Sequence, residues 1–285
     1  MCDAASSGGT HFRALSRGTA RRPPSCGSCC GTRALAGGHG GVDPGGRGVT
    51  VLAIGAHPDD VDLYAGGMIA GLVRRGVRVV ILDLTRGEMG SRGDADTREE
   101  EATAAARALG VSLRECAGLP DGGVCAANAD HVRTVVEAIR RHRPRLLLAP
   151  FENDPHPDHR ETAALVRQAC FLSGATQANA AGDPFHPGRV LFYEQKVSFE
   201  PDLVVDITED VNAKRAAVHA FASQFTREGG GAKTQISDAA FHEMLAAREL
   251  VHGARIGVHR GEGYRLDGPV AVADAVQLLS EEGAP

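Results

Sequence analysis

Residues 51–62 read Val-Leu-Ala-Ile-Gly-Ala-His-Pro-Asp-Asp-Val-Asp, and they join an apolar run to a polar turn. The four apolar residues before Gly55 are typical of a short strand that is buried on both faces. Pro58 fixes the backbone after the strand and allows a helix to begin there. His57 and Asp60 lie three positions apart, so a tight turn brings both side chains to one side. An imidazole and a carboxylate at the end of a strand predict half of a zinc site.

A second segment of the same kind occurs at residues 155–159, which read Pro-His-Pro-Asp-His. It follows an apolar run at residues 146–150 and precedes a helical pattern at residues 163–172. A single His-Pro-Asp segment is more typical of a turn with an Asx-type cap. Two such segments at the ends of two strands indicate one shared metal site, because open α/β sheets bind ligands at the carboxyl ends of their strands.

The order of the elements predicts an α/β fold. Strands at residues 51–54, 77–84 and 145–149 alternate with helices, one of them at residues 98–109. This alternation is typical of a Rossmann-like, doubly wound and mostly parallel sheet, with the metal site at the carboxyl ends of its strands. Residues 258–269 predict only turns and short strands that close the structure. A nucleotide-binding Rossmann protein is disfavoured, because Gly-x-His-Pro-Asp-Asp stands where the Gly-x-Gly-x-x-Gly fingerprint belongs.

The composition argues against two classes of partner, nucleic acids and membranes. The chain has 285 residues, of which 42% are hydrophobic, so it is long enough for one large α/β domain. It carries 31 basic and 36 acidic residues, and the net charge of -5 argues against nucleic acid as a partner. No apolar run approaches the roughly 18 residues that a membrane-spanning helix needs. We therefore expect no membrane partner.

Residues 1–47 do not have the pattern of a folded segment. They are rich in Gly, Ser, Ala and Arg and lack periodic apolar positions, so we expect a disordered tail or a spurious extension from a start codon placed too far upstream. An organelle transit peptide is a weaker alternative, since amphipathic periodicity is missing. The folded domain is expected at residues 48–285. The chain has seven cysteines, an odd number, and we interpret them as reduced thiols of a cytoplasmic protein.

Four motifs resemble those of the LmbE-like (PIG-L-type) zinc N-deacetylases in order and spacing. They are Ala-His-Pro-Asp-Asp at residues 56–60, Thr-Arg-Gly-Glu at 85–88, Leu-Pro-Asp-Gly-Gly at 119–123 and His-Pro-Asp-His at 156–159. Within this family the chain is most similar to the bacillithiol-biosynthesis deacetylases, which hydrolyse N-acetylglucosaminyl-malate. The resemblance implies a small-molecule glycoside as substrate and a homo-oligomeric assembly.

The residue types and the resemblance agree on three metal ligands, His57, Asp60 and His159. Three protein ligands with one open position are typical of a hydrolytic zinc site, in which the pKa of a bound water falls to about 7. Fe²⁺ suits the same ligands. We expect one metal ion per chain.

Three further residues are expected to be catalytic. Asp59 is a carboxylate beside the metal that does not bind it, and this position suits a general base. His156, in its protonated form across the metal, could stabilise the negative charge that builds on the amide oxygen, and Asp158 could orient its imidazole.

The sugar is expected to contact residues in the family-like motifs and at the start of the helix that follows them: Arg86, Glu88, Arg98 and Asp121. The guanidinium of Arg98 could bind a malate carboxylate in a bidentate pair. Without the resemblance, a solvated charge paired with Glu99 or Glu101 explains Arg98 equally well.

Two positions depart from the relatives. Pro155 stands where the closest relatives often carry Arg, so one possible anchor for an acidic aglycone is missing. Asp154 stands where relatives that act on mycothiol precursors can carry Tyr, which disfavours that substrate.

The sequence thus predicts a cytoplasmic zinc N-deacetylase of a small N-acetylglucosaminide, with N-acetylglucosaminyl-malate as the first candidate. The alternatives are a mycothiol-type amidase, a chitooligosaccharide deacetylase and, outside the enzymes, a silent zinc- or sugar-binding module. Asp59 argues against the silent module, because a metal site does not need it.

Overall fold

The structure is a computed structural model that describes residues 50–225, 234 and 236–269. The predicted N-terminal extension, residues 1–47, lies outside the described residues. The strands are β1 (Thr50–Gly55), β2 (Arg78–Asp83), β3 (Leu113–Cys116), β4 (Leu146–Pro150), β5 (Arg189–Tyr193), β6 (Leu203–Asp206) and β7 (Gly261–Leu266). The helices are α1 (Asp60–Arg74), α2 (Ala95–Leu109), α3 (Ala129–His142), α4 (Pro157–Ser173), α5 (Val211–Ala220), α6 (Ala222–Phe225) and α7 (Ala239–Arg255).

The seven strands form one sheet in the order β3-β2-β1-β4-β5-β7-β6. The first five of these pair in parallel, and β7 runs antiparallel to both β5 and β6. The predicted α/β, mostly parallel sheet is therefore confirmed. The chain moves outward from β1 to β3 and then returns to place β4 on the other side of β1. This reversal opens a crevice at the carboxyl ends of β1 and β4, where such sheets bind ligands.

The core explains why β1 is a continuous apolar run. Val51 and Ala53 belong to the hydrophobic cluster on the face that α1, α2 and α5 cover. Leu52 and Ile54 belong to the cluster on the opposite face, which α3 and α4 cover. Because successive side chains of a strand point to opposite faces, a strand covered on both sides buries apolar side chains at consecutive positions.

Helix starts differ from the sequence-based boundaries because capping residues set them. Helix α2 begins at Ala95, three residues earlier than predicted, because the side chain of Asp94 accepts a hydrogen bond from the N–H of Thr97. Helix α4 begins at Pro157, with His156 as its N-cap. The second His-Pro-Asp segment is therefore the first turn of a helix.

The segment at residues 258–269 has a larger role in the fold than predicted. Strand β7 lies within the sheet, between β5 and β6. The carboxylate of Glu262 accepts hydrogen bonds from the N–H groups of Gly67 and Met68 in α1, at 2.9 and 2.8 Å. The strand thereby supports the helix that begins at the first His-Pro-Asp turn. In the part of the chain that the structure describes, no helix is both long and apolar enough to span a bilayer.

Candidate metal centre

The two His-Pro-Asp segments lie side by side because their strands are neighbours. Strand β1 pairs in parallel with β4, so the turns that follow them leave the same edge of the sheet. His57 and Asp60 come from the first turn, and His156 and His159 come from the second. The structure thus brings together the three residues expected to be ligands.

The carboxylate of Asp60 lies between two imidazoles. Its Oδ2 atom is 3.4 Å from Nδ1 of His57, and its Oδ1 atom is 3.3 Å from Nε2 of His159. All three side chains are buried. Two imidazole nitrogens and a carboxylate are the ligands of many catalytic zinc sites, so this donor set fits zinc.

The charges of these groups also suit a cation. Burial would raise the pKa of Asp60, yet the imidazoles of His159 and His57 hold it well below its usual value. Burial disfavours the charged form of His57, but hydrogen bonds to three carboxylates raise its pKa well above the usual value. Burial likewise lowers the pKa of His159, but the charge of Asp60 and hydrogen bonds to Asp154 and Asp60 raise it to about 9. The site therefore attracts positive charge, which a divalent cation would supply.

Each imidazole also has a carboxylate on its other nitrogen. Nε2 of His57 lies 3.1 Å from Oδ1 of Asp121 and 3.4 Å from Oδ2 of Asp158. Nδ1 of His159 lies 2.9 Å from Oδ1 of Asp154. Such carboxylates fix the tautomer and the orientation of ligand histidines.

The role of Asp154 was not predicted. Its only sequence signal is a carboxylate five positions before His159, in the loop that leads to α4. Among the described residues, two groups have ligand atoms within 4.8 Å of one another: His57 with His156 and His159, and His57 with Asp121 and Asp158.

Asp59 has an unusual backbone conformation. Its φ angle is 135°, in a region that non-glycine residues rarely adopt, and its side chain makes no capping hydrogen bond. Strain of this kind typically occurs at functional sites. Burial raises the pKa of Asp59 to about 7, although the guanidinium of Arg98 lowers it. A carboxylate with this pKa can both take up and release a proton near neutral pH.

Arg98 is buried beneath the site. Its Nη1 and Nη2 atoms each donate at 2.9 Å, to the carbonyls of Gly87 and Pro58, and Nη2 lies 3.5 Å from Oδ2 of Asp59. Gly87 leaves the space for it, since a Cβ there would lie 1.9 Å from Nη1 of Arg98. The side chain is only 5% exposed. This position differs from the expected grip on a substrate carboxylate.

The alternative of a solvated charge at Arg98 is wrong. Glu99 lies 3.3 Å from the guanidinium of the exposed residue Arg86. Glu101 accepts hydrogen bonds from the N–H and the hydroxyl of Ser223. Neither carboxylate is the partner that the alternative required.

The other residues expected to bind sugar divide into two groups. Arg86 is exposed and donates to Asp96 at 2.6 Å. Glu88 accepts from the N–H of Asp121 at 2.9 Å, and Asp121 contacts His57. Glu88 and Asp121 therefore belong to the wall of the metal site.

The surroundings of His156 and Asp158 differ from those expected from the sequence. The ring of His156 lies 4.8 Å from that of His57 and 4.6 Å from that of His159, between centroids. Burial and the neighbouring imidazoles lower its pKa. The carboxylate of Asp158 accepts from the N–H of Gly122 at 2.7 Å and lies against His57. Asp158 thus joins His57 to the loop after β3.

Comparison with known proteins agrees with this geometry. The family model for PIG-L, the GlcNAc-PI de-N-acetylases, matches residues 52–170. The diacetylchitobiose deacetylase of Thermococcus kodakarensis is 33% identical over 194 residues, which are 62% of this chain and 71% of that protein. The 1D-myo-inositol 2-acetamido-2-deoxy-alpha-D-glucopyranoside deacetylase of Mycobacterium sp. (strain KMS) is 30% identical over 240 residues, 66% of this chain and 78% of that protein.

A solved structure is also similar. The conserved protein TT1542 from Thermus thermophilus superimposes with a TM-score of 0.72 and 36% identity, covering 78% of this chain and 96% of that chain. The mostly parallel sheet and the arrangement of His57, Asp60 and His159 agree with these matches. The chain belongs to the PIG-L (LmbE-like) family of metal-dependent N-deacetylases.

Proposed function

We propose that this chain hydrolyses the acetamide of a small N-acetylglucosaminide. The observation that carries the proposal is the carboxylate of Asp60 between the imidazoles of His57 and His159, with the buried carboxylate of Asp59 beside it in sequence. The relatives named above are deacetylases of diacetylchitobiose and of an inositol 2-acetamido-glucoside, which supports this substrate class.

The metal ligands would be His57, Asp60 and His159. A zinc ion held there supplies Lewis acidity, which activates water and polarises the acetamide carbonyl. Fe²⁺ suits the same oxygen and nitrogen donors. The identity of the native metal as zinc is therefore itself a proposal.

Asp59 carries out both proton transfers, and His156 stabilises the developing charge. Asp59 takes the proton of the attacking water, which its pKa of about 7 permits. The ring of His156, next to both ligand imidazoles, stabilises the negative charge that develops on the amide oxygen. Asp59 then returns its proton to the nitrogen that leaves as an amine. Hydrolysis of one acetamide thus yields acetate and one free amine.

Two aglycones are candidates. N-acetylglucosaminyl-malate follows from the resemblance to the bacillithiol deacetylases. A neutral aglycone, as in diacetylchitobiose, has a structural argument, because nearby cationic side chains already bind protein groups. Arg98 donates to Gly87 and Pro58, Arg86 to Asp96, and Arg160 to the carbonyls of Asp154 and Pro155. Anionic groups dominate the described site.

Acetate release from a panel of N-acetylglucosaminides tests the proposal. The panel contains N-acetylglucosaminyl-malate, N,N'-diacetylchitobiose, the inositol glycoside and free N-acetylglucosamine, each assayed with zinc-loaded and chelator-treated protein. We expect zinc-dependent release that Asp59→Asn lowers by about 10²–10⁴-fold. Equilibrium zinc binding with no acetate release from any member would refute the proposal and favour the silent binding module. The homo-oligomeric state and the cytoplasmic location stay predictions from the sequence.

A further inference from the structure

We infer that Asp154 is a positioning residue, which fixes the ring nitrogen that His159 presents to the metal and holds His156 beside it. The inference rests on the metal centre of the proposed function, and it assigns a role to a residue outside the ligand set and the proton transfers. Asp154 lies in the loop between β4 and α4, and its side chain is 1% exposed.

Both oxygens of this carboxylate are used. Oδ1 accepts from Nδ1 of His159 at 2.9 Å and from the N–H of His156 at 2.8 Å. Oδ2 accepts from the N–H of Lys196 at 3.0 Å. Three donors therefore converge on one buried anion, which is strong hydrogen bonding for a single side chain.

This arrangement determines the tautomer of His159. An ionised carboxylate only accepts hydrogen bonds, so the ring must carry its proton on Nδ1. In the neutral ring, the form that binds a metal, the lone pair is then on Nε2, the nitrogen that lies 3.3 Å from Oδ1 of Asp60. Asp154 thus prepares His159 to bind the metal on the side where Asp60 lies.

Asp154 also ties the loop to its surroundings. Lys196 follows β5, the strand next to β4, so the hydrogen bond to Oδ2 joins the chain beyond two adjacent strands. The carbonyl of Asp154 accepts from Arg160 at 2.7 Å. Because the same carboxylate binds the backbone of His156, one residue holds both histidines of the segment.

A second buried pair in this chain provides a matched control. Oε2 of Glu194 lies 2.8 Å from Nε2 of His252, and Oε1 accepts from the N–H of Phe199 at 2.9 Å. Glu194 is 4% exposed. This pair has the same chemistry as Asp154 with His159, but His252 is not among the described groups that could hold a metal ion.

Asp154→Asn is the most informative substitution. The amide keeps the size of the side chain but has one accepting end and one donating end. Either the two histidine donors or the N–H of Lys196 would therefore meet an NH₂ group. Glu194→Gln introduces the same mismatch at the control pair.

The test is the zinc dissociation constant of full-length apoprotein, measured by competition with a chromophoric chelator, for wild type, Asp154→Asn and Glu194→Gln. We expect Asp154→Asn to bind zinc about 10- to 100-fold more weakly, the usual effect of removing such a partner, and Glu194→Gln to bind it as wild type does. Melting temperatures of the apoproteins show whether each variant folds. We expect the melting temperatures of Asp154→Asn and Glu194→Gln to be lowered to a similar extent.

Wild-type zinc affinity in a folded Asp154→Asn protein would overturn the inference, as would an equal loss in Glu194→Gln. If Asp154→Asn does not fold, Asp154→Glu retains the charge but displaces the carboxylate, and it should also weaken zinc binding; unchanged affinity there would overturn the inference too. Zinc affinity is measured without substrate. A wild-type protein that binds zinc but releases no acetate would therefore refute the proposed function and leave this test intact.

Discussion

Arg98 offers the sharpest test of how the site works. Its guanidinium donates to two carbonyls from distant parts of the chain, those of Gly87 and Pro58, and lies near the carboxylate of Asp59. Because the side chain is buried, we expect Arg98→Lys to impair deacetylation of every substrate in the panel by the same factor. The ammonium of a lysine at this position can donate to one of the two carbonyls, but it cannot reach both as the planar guanidinium does.

The size of the effect follows from the contacts that are lost. Removing one charge-assisted hydrogen bond costs about 1.5–3 kcal/mol, which corresponds to roughly a 10- to 150-fold lower kcat/KM. The guanidinium also lowers the pKa of Asp59, which burial has raised to about 7. The substitution Arg98→Ala removes this charge, so in that variant the pKa of Asp59 should rise further. Because a general base acts in its deprotonated form, the acidic limb of the pH–rate profile should move to higher pH.

The assay is kcat/KM against pH for N-acetylglucosaminyl-malate, diacetylchitobiose and free N-acetylglucosamine. Arg86→Ala is the control, since its exposed guanidinium binds Asp96 and Glu99, and it should leave the pH profile unchanged. A much larger loss for the malate glycoside than for the free sugar would refute this reasoning. It would show that Arg98 binds the aglycone, as the family resemblance implied.

Three further predictions test the site and the core. Alanine at any of the three ligands, His57, Asp60 or His159, should lower the zinc retained after dialysis, and full retention in any variant would remove that residue from the ligand set. Asp59→Asn should retain zinc yet lose about 10²–10⁴-fold in kcat, so near-normal turnover would contradict its role as base. Ile139→Ala truncates a fully buried side chain of α3 and should lower the free energy of unfolding by about 2–5 kcal/mol in urea titrations, with zinc affinity unchanged. An unchanged unfolding midpoint would contradict the packing described here.

The central part of the fold could be predicted because it is encoded locally. The apolar run of β1 and the turn after it contain their own signals, and the same holds for β4. The alternation of strands and helices, with right-handed crossovers, then restricts where β4 can lie relative to β1. The site follows, because its ligands come directly after these two strands.

The position of β7 could not be predicted in this way. Its residues Gly261–Leu266 include Glu262, which is buried because it binds the backbone of α1 and the ammonium of Lys214. These partners are distant in sequence, so the strand resembles a polar turn when it is considered alone. The partners of Arg98 and of Asp154 could not be predicted for the same reason: each contacts groups that only the folded chain brings together.

Asp59 and Asp60 are adjacent in the first turn, but the backbone directs their carboxylates to different partners. Asp60 begins α1, and its Oδ2 atom accepts from the N–H of His57 at 2.9 Å, which holds the carboxylate against the ligands. Asp59 precedes it with a φ angle of 135°, so its side chain leaves in another direction and meets Arg98. Such a conformation costs about 1–3 kcal/mol, and the hydrogen bond from Arg98 to the carbonyl of Pro58 helps to maintain it. Two identical side chains in sequence can therefore serve as metal ligand and as base, because the strained backbone at Asp59 separates their directions.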